Sequence, residues 1–207
     1  MVTATDPEVA PLASYLNEHA IDVLTTGVGM VATAARTSGA LAQQRYDLAL
    51  NLGLCGSFTP RFPPGTVVHV VSDRLPELGA EDDESFLTIH ELQLADEHAF
   101  PFRGGAIVNS APPANSALVQ LPRANGITVN TVHGNVRSIA AVVERFHPDV
   151  ESMEGAAFMY ACLIHGVPFA QVRAVSNVVE KRNRGAWRIT EAMDALRRAA
   201  IDILDHA

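Results

Sequence analysis

The sequence predicts an α/β fold, a sheet covered by helices, and three observations carry that prediction. Apolar runs of strand length recur along the chain, segments with helical spacing alternate with them, and glycine or proline punctuates the joints. The 207 residues, 48% hydrophobic and 18% charged, suffice for one sizeable core and are too few for two full domains. Residues 1–207 therefore read as a single domain.

Residues 1–5 form a short apolar-leaning strand, followed by a helical stretch at 8–19 and a strand at 21–26, a βαβ start. Gly27 and Gly29 interrupt the pattern ahead of a small-residue helix at 31–44 and a buried strand at 48–52. Further strands are expected at 67–72 and 128–132. A run at 150–153 leads into a helix that Gly166 and Pro168 should stop, and 169–176 is the next strand. The closing stretch, 186–206, carries Trp187, Ile189, Ala192, Met193, Leu196, Ala200, Ile203 and Leu204 at helical spacing, which predicts an amphipathic helix lying on the sheet. Residues 73–105 are acidic, irregular and too long for an ordinary connection, so they read as a functional lid or a dimer-contact loop.

Composition excludes several classes of function. A net charge of -8 opposes broad capture of a nucleic-acid backbone, which demands clustered positive charge. No apolar run reaches the roughly 18 to 20 residues of a membrane span, and the N-terminus lacks the basic start and apolar core of a secretory signal. A soluble cytoplasmic protein, with no nucleic-acid or membrane partner, is the expectation. Cys55 and Cys162 lie far apart without a metal-binding pattern, so they read as reduced, buried thiols, with no metal expected.

Four clusters fall where strands of an open α/β sheet should end, the usual place for a ligand. In "TDPEVAPL", Glu8 follows the first strand. A carboxylate there can act as general base for a water, although an acid in a first helical turn also complements the helix dipole. In "NLGLCGSF", Gly53 and Gly56 follow a buried strand, and the turn they suggest would bring backbone N–H groups near Gly56 and Ser57 close to a ligand, or merely reverse the chain. In "VESMEGAAF", Glu154 could accept hydrogen bonds from a vicinal diol while Met153 offers an apolar surface to a sugar; a helix-start acid and a core methionine are the plainer alternative. In "VRAVSNVVEKRNRGAW", Ser176 and Asn177 end an apolar strand. The Asn177 amide could donate to a purine N7 as charge develops there, and Ser-Asn after a strand is also an ordinary turn.

Taken together, the order NxGxxG, MExAA and RxxSN resembles the nucleoside phosphorylase and nucleosidase superfamily, with matching spacing over nearly the whole chain. The resemblance implies a three-layer sandwich with a mixed central sheet, no cofactor, and a homodimer. Phosphorylases of the hexameric kind hold phosphate with an arginine and a hydroxyl residue where this chain has Asn51 and Leu54, a poor anion site, so water is the implied nucleophile. Glu8 stands where the related nucleosidases keep the glutamate that activates that water. Those adenine-specific relatives have aspartate in place of Asn177; the Asn177 NH2 can serve O6 and N7 of a 6-oxopurine. "PELGAED", "MEGAAF" and "SNVVEKRNRGAW" are similar to one hydrolytic branch of the superfamily, which releases hypoxanthine from a nucleoside bearing a carboxylated aromatic group.

The resemblance assigns catalysis to Glu8 and Asn177 and substrate contact to Glu154, Met153, Gly56, Ser57 and Ser176. Val136, in a segment that could wall the base, and Arg182, a candidate cation for the carboxylated tail beside Lys181 and Arg184, complete the set. A methylthioadenosine or adenosylhomocysteine nucleosidase, or a nucleoside-binding protein without catalysis, are the competing expectations.

Overall fold

Pro11 shows how local chemistry shapes the first layer. In the computed structural model, which describes residues 1–206, the helix expected at 8–19 is broken into α1 (Asp6–Val9), a 3-10 turn (Ala10–Leu12) and α2 (Ala13–Glu18). A proline has no N–H to continue the helical ladder, so the chain tightens around it. This helical stretch joins β1 (Val2–Thr3) to β2 (Leu24–Thr25), shorter than expected but paired in parallel. Next come α3 (Met30–Gln43) and β3 (Ala49–Ser57).

β3 corrects one expectation, since Gly53 and Gly56 lie inside the strand and not in a turn after it. They are glycine because side chains from neighbouring strands occupy the space where a Cβ would project. β4 (Val67–Arg74) runs two residues further than expected. The stretch beyond it is more regular than its composition suggests. β5 (Gly79–Asp82) and β6 (Ser85–Thr88) pair as an antiparallel hairpin, and β7 (Phe102–Arg103) and β8 (Ala106–Val108) form a second antiparallel pair.

α4 (Ser116–Gln120) precedes β9 (Arg123–Thr128), so the strand expected at 128–132 ends where it was expected to begin. Pairing decides this: β9 lies parallel to both β4 and β10 through Arg123 to Thr128, and the chain then leaves the sheet for α5 (Val136–Phe146). β10 (Val150–Ser152), α6 (Gly155–His165), β11 (Phe169–Val178) and α7 (Ile189–Asp205) complete the order.

The sheet is mixed, and its ladder closes on itself. β3 pairs with β10, β10 with β9, β9 with β4, β4 with β11, and β11 again with β3, with antiparallel joints at β10/β3 and β11/β4. Alternation sends Ala170, Val172 and Ala174 of β11 outward to α7, whose Ala192, Leu196, Ala200 and Ile203 are buried against them. Each Leu or Ile so buried contributes about 1.5–3 kcal/mol. The other helical layer is α3 with α6, where Phe158, Met159 and Cys162 pack on Val2, Ile107 and Phe169. The alternate positions of β11 hold Gln171 and Arg173, buried polar groups in an otherwise apolar strand.

Candidate active site

Glu8 reconciles its two readings by dividing its oxygens. It is the third residue of α1, and Oε2 accepts from the Thr5 N–H at 2.9 Å, the Thr5 hydroxyl at 3.0 Å and the Thr3 hydroxyl at 2.9 Å. That reach back onto the N-cap residue is how an acid satisfies orphan donors at a helix start. Oε1 has only a long contact, 3.4 Å from the Leu54 N–H, and faces the surface of Gly53.

Glu154 stands at the N-cap of α6 but does not cap it. Other side chains take the helix's first donors: Ser152 Oγ accepts from Gly155 N at 3.3 Å, and Thr128 Oγ1 accepts from Ala156 N at 2.7 Å. Thr128 in turn donates to buried Asp73 at 3.0 Å, and the amide of Gln171 donates to the other Asp73 oxygen at 3.2 Å. Burial pushes the Asp73 carboxyl up to about 7, against the lowering effect of these bonds and of the Arg173 charge. With its helix capped from outside, Glu154 is free to turn away. Its Oε1 accepts from the Gly29 N–H at 3.1 Å, and Gly29 takes φ +95°, a conformation that favours glycine.

Arg173 pairs with Glu154 and, across Gly53, is a neighbour of Glu8. It is 1% exposed, with Nη2 2.5 Å from Asn51 Oδ1 and Nη1 3.7 Å from Glu154 Oε2. A Cβ on Gly53 would stand 2.1 Å from Arg173 Nη1 and 3.2 Å from Glu8 Oε1, so the bare backbone of Gly53 leaves room for both side chains to approach it. A cation this buried persists only with paired charge or hydrogen bonds around it. Asn51 is fully engaged in holding it, since its Nδ2 donates to Val2 O at 3.1 Å.

Asn177 lies four residues further along β11, about 13 Å at strand rise. A register shift between Val175 and Asn177 sets Asn177 opposite Gly56. Its Nδ2 donates to Val178 O at 3.0 Å, and its Oδ1 accepts from the Ser176 hydroxyl at 2.9 Å. Gly56 and Ser57 are paired on one side with β11 and on the other with β10, and the Ser57 hydroxyl donates to Thr59 O. Met153 is half-buried between β10 and α6. Val136 opens α5 and is exposed, while Arg182 donates its N–H to Gly134 O at 3.1 Å and lays its guanidinium over Trp187. The structure thus brings Glu8 and the Arg173–Glu154 pair to the neighbourhood of Gly53. It sets Asn177 and Ser176 at the Gly56 end of the same strand pair, and ties the Arg182 segment to the loop before Val136. A cavity of about 880 Å³ lies elsewhere, among Arg74, His90, Phe102, Arg145 and His147, and none of Glu8, Glu154 or Asn177 lines it.

Arg173, Asn51 and the Asp73–Thr128 pair were not singled out as site residues from sequence. The available signal was a glutamine and an arginine at alternate positions of an apolar strand, where a buried charge implies a partner.

A closed mixed sheet between helical layers, with a buried arginine paired to one acid and a second acid nearby, defines a protein of the nucleoside phosphorylase fold. A family model described as Phosphorylase superfamily matches residues 12–206. Futalosine hydrolase of Streptomyces coelicolor is 36% identical over 182 residues, covering 84% of this chain and 74% of that protein. Futalosine hydrolase of Thermus thermophilus is 32% identical over 184 residues, covering 87% and 80%. The chain belongs to the futalosine hydrolase family within the phosphorylase superfamily, and is an N-glycosidic hydrolase. The same fold occurs in a 5′-methylthioadenosine/S-adenosylhomocysteine nucleosidase from Colwellia psychrerythraea in complex with adenine, at a TM-score of 0.78 and 20% identity over 99% of this chain and 93% of that one.

Proposed function

We propose that this chain cleaves futalosine to hypoxanthine and the dehypoxanthinyl product by attack of water at C1′, through an oxocarbenium-like ribosyl transition state. The observation that carries the reading is the convergence of Glu8 and the Arg173–Glu154 pair beside Gly53. Glu8 Oε1, short of donors, takes the proton of the attacking water, a contribution of about 10² to 10⁴ in rate. Glu154 keeps lone pairs for the ribose 2′ and 3′ hydroxyls, because each oxygen has a single protein partner. Met153 packs on the sugar, and the base extends toward Ser176 and Asn177, with Gly56, Ser57 and Val136 around it and Arg182 toward the carboxylated tail. Asn51 is committed to Arg173, which supports water over phosphate as nucleophile. The whole of residues 1–207 acts as one nucleosidase unit, a cytoplasmic homodimer serving menaquinone biosynthesis; among the described residues no helix is long and apolar enough to cross a membrane.

Incubation with futalosine, with and without phosphate, tests the reading through hypoxanthine release. Phosphate-independent release is expected, and Glu8→Gln should abolish it while retaining ligand affinity. A strong preference for methylthioadenosine would transfer the assignment to the adenine nucleosidases, and unchanged turnover by E8Q would remove Glu8 from the mechanism.

A further inference from the structure

Asn177 leaves one step of that reaction without a proton source. As the C1′–N bond breaks, its electron pair passes to the purine, which must gain a proton to depart as a neutral base. A carboxamide can donate a hydrogen bond to it but does not act as a Brønsted acid near neutral pH.

The titratable side chain beside Asn177 is Glu151. A Cβ on Gly56 would stand 3.3 Å from Asn177 Nδ2 and 3.5 Å from Glu151 Cγ, so amide and carboxylate share one patch of β3. Glu151 is 4% exposed. Its Oε1 accepts from the His133 N–H at 3.1 Å, and its Oε2 lies 2.6 Å from His133 Nδ1. A carboxylate at that distance places a ring proton on Nδ1, leaving Nε2 as the working edge of the imidazole. The ring has not been sealed off, since 13% of the His133 side chain remains exposed. The edge of Phe58 lies at 6.0 Å between centroids, and the residue after His133, Gly134, accepts from the Arg182 N–H in the segment after β11. The same hydrogen bond ties the His133 loop to the stretch that follows Asn177.

We propose that His133, oriented by Glu151, is the general acid that protonates the leaving purine. The inference rests on the nucleosidase reading above. In its imidazolium form His133 gives the Nε2 proton to a purine ring nitrogen while the C1′–N bond breaks. The water oxygen bonds to C1′ and its proton passes to Glu8; exchange with solvent then returns Glu8 and His133 to their starting states. Carboxylate, imidazole and carboxamide divide the base end between them, with Glu151 orienting, His133 protonating and Asn177 recognising.

The test compares two leaving groups, a hypoxanthine riboside and p-nitrophenyl β-D-riboside, whose phenolate departs without protonation. His133→Gln should lose about 10²- to 10⁴-fold in kcat on the hypoxanthine riboside and change little on the nitrophenyl riboside. Glu151→Gln should move the same way by a smaller factor. In the wild-type protein, turnover of the purine substrate should fall at alkaline pH while that of the nitrophenyl riboside does not, and H133Q should remove that limb. Equal losses on both substrates, or no loss on either, overturn the role. Parallel wild-type pH profiles overturn it without any variant, so misfolding of H133Q cannot protect it. Wild-type protein that turns over neither substrate sinks the nucleosidase reading and this role with it; turnover of both with parallel profiles sinks only this role.

Discussion

Replacing Gly53 with alanine tests the centre of the site with a single methyl group. The added Cβ would stand 2.1 Å from Arg173 Nη1 and 3.2 Å from Glu8 Oε1, against about 3.5–4 Å for comfortable contact. The guanidinium is 1% exposed and held by Asn51 and Glu154, so it cannot make room without giving up one of them. Overpacking a core costs about 1–3 kcal/mol, and stripping a buried ion of its partner about 3–5 kcal/mol. With partial relaxation, Gly53→Ala should lose about 2–4 kcal/mol, roughly 4–16 °C in Tm for a chain of this length. Urea denaturation reads the stability and hypoxanthine release reads the activity, which should drop by more than about tenfold because the methyl group displaces the guanidinium that holds Glu154 and crowds the Glu8 carboxylate. The double variant Gly53→Ala with Arg173→Met separates the clash from a generic effect of alanine. Once the guanidinium is gone the shorter of the two clashes is removed, so the two costs should fall short of additivity by at least about 1 kcal/mol. A G53A protein as stable and active as wild type would refute the reasoning, as would strict additivity in the double variant.

Two further outcomes follow from burial. Asp73 rises from 3.8 to about 7, so between those values the folded protein holds a proton that the unfolded chain has released, and this residue makes stability decline as pH rises through that window. Asp73→Asn keeps an acceptor for Thr128 and removes the titration, so its urea midpoint should vary less than that of wild type from pH 4 to pH 7, roughly the window of that shift; parallel profiles would contradict the assignment. Burial also pushes the thiols of Cys55 and Cys162 up to about 12. Both should resist a thiol-specific disulfide reagent at pH 8 until denaturant is added, about where a free thiol reacts; prompt labelling of the native protein would show that the layers around β3 and α6 open readily.

The parts of the fold legible in sequence were those whose apolar residues keep one period without interruption. α6, β11 and the terminal helix fall within a few residues of expectation because each buries a continuous stripe or run, and α3 does so because Gly27 and Gly29 mark its start. β9 was misplaced because the apolar residues at 127–132 continue past the point where its partners β4 and β10 end, and pairing is a tertiary fact. The β5–β6 hairpin was hidden by its exposure, since a strand pair outside the core needs no alternating pattern. α5 has a signal in the sequence, since Val136, Ile139, Val142, Val143 and Phe146 stand at helical spacing. At the site, Glu8, Glu154 and Asn177 were visible as acids and an amide near strand ends. Arg173 was visible only as an oddity within a strand, and the service of Thr128 to α6 could not be read from residues 28 positions apart.

Closure of the ladder through β3, β10, β9, β4 and β11 makes the proposed catalytic centre an all-or-nothing assembly. Its contributors at positions 8, 29, 51, 53, 154 and 173 come from both extremities and the middle of the polypeptide, and they meet only when the last joint, β11 against β3, has formed. Contacts so distant along the chain form late and slowly. A nascent or nicked polypeptide lacking β11 therefore has no weakened version of the centre, and competence arrives in one step with the final strand.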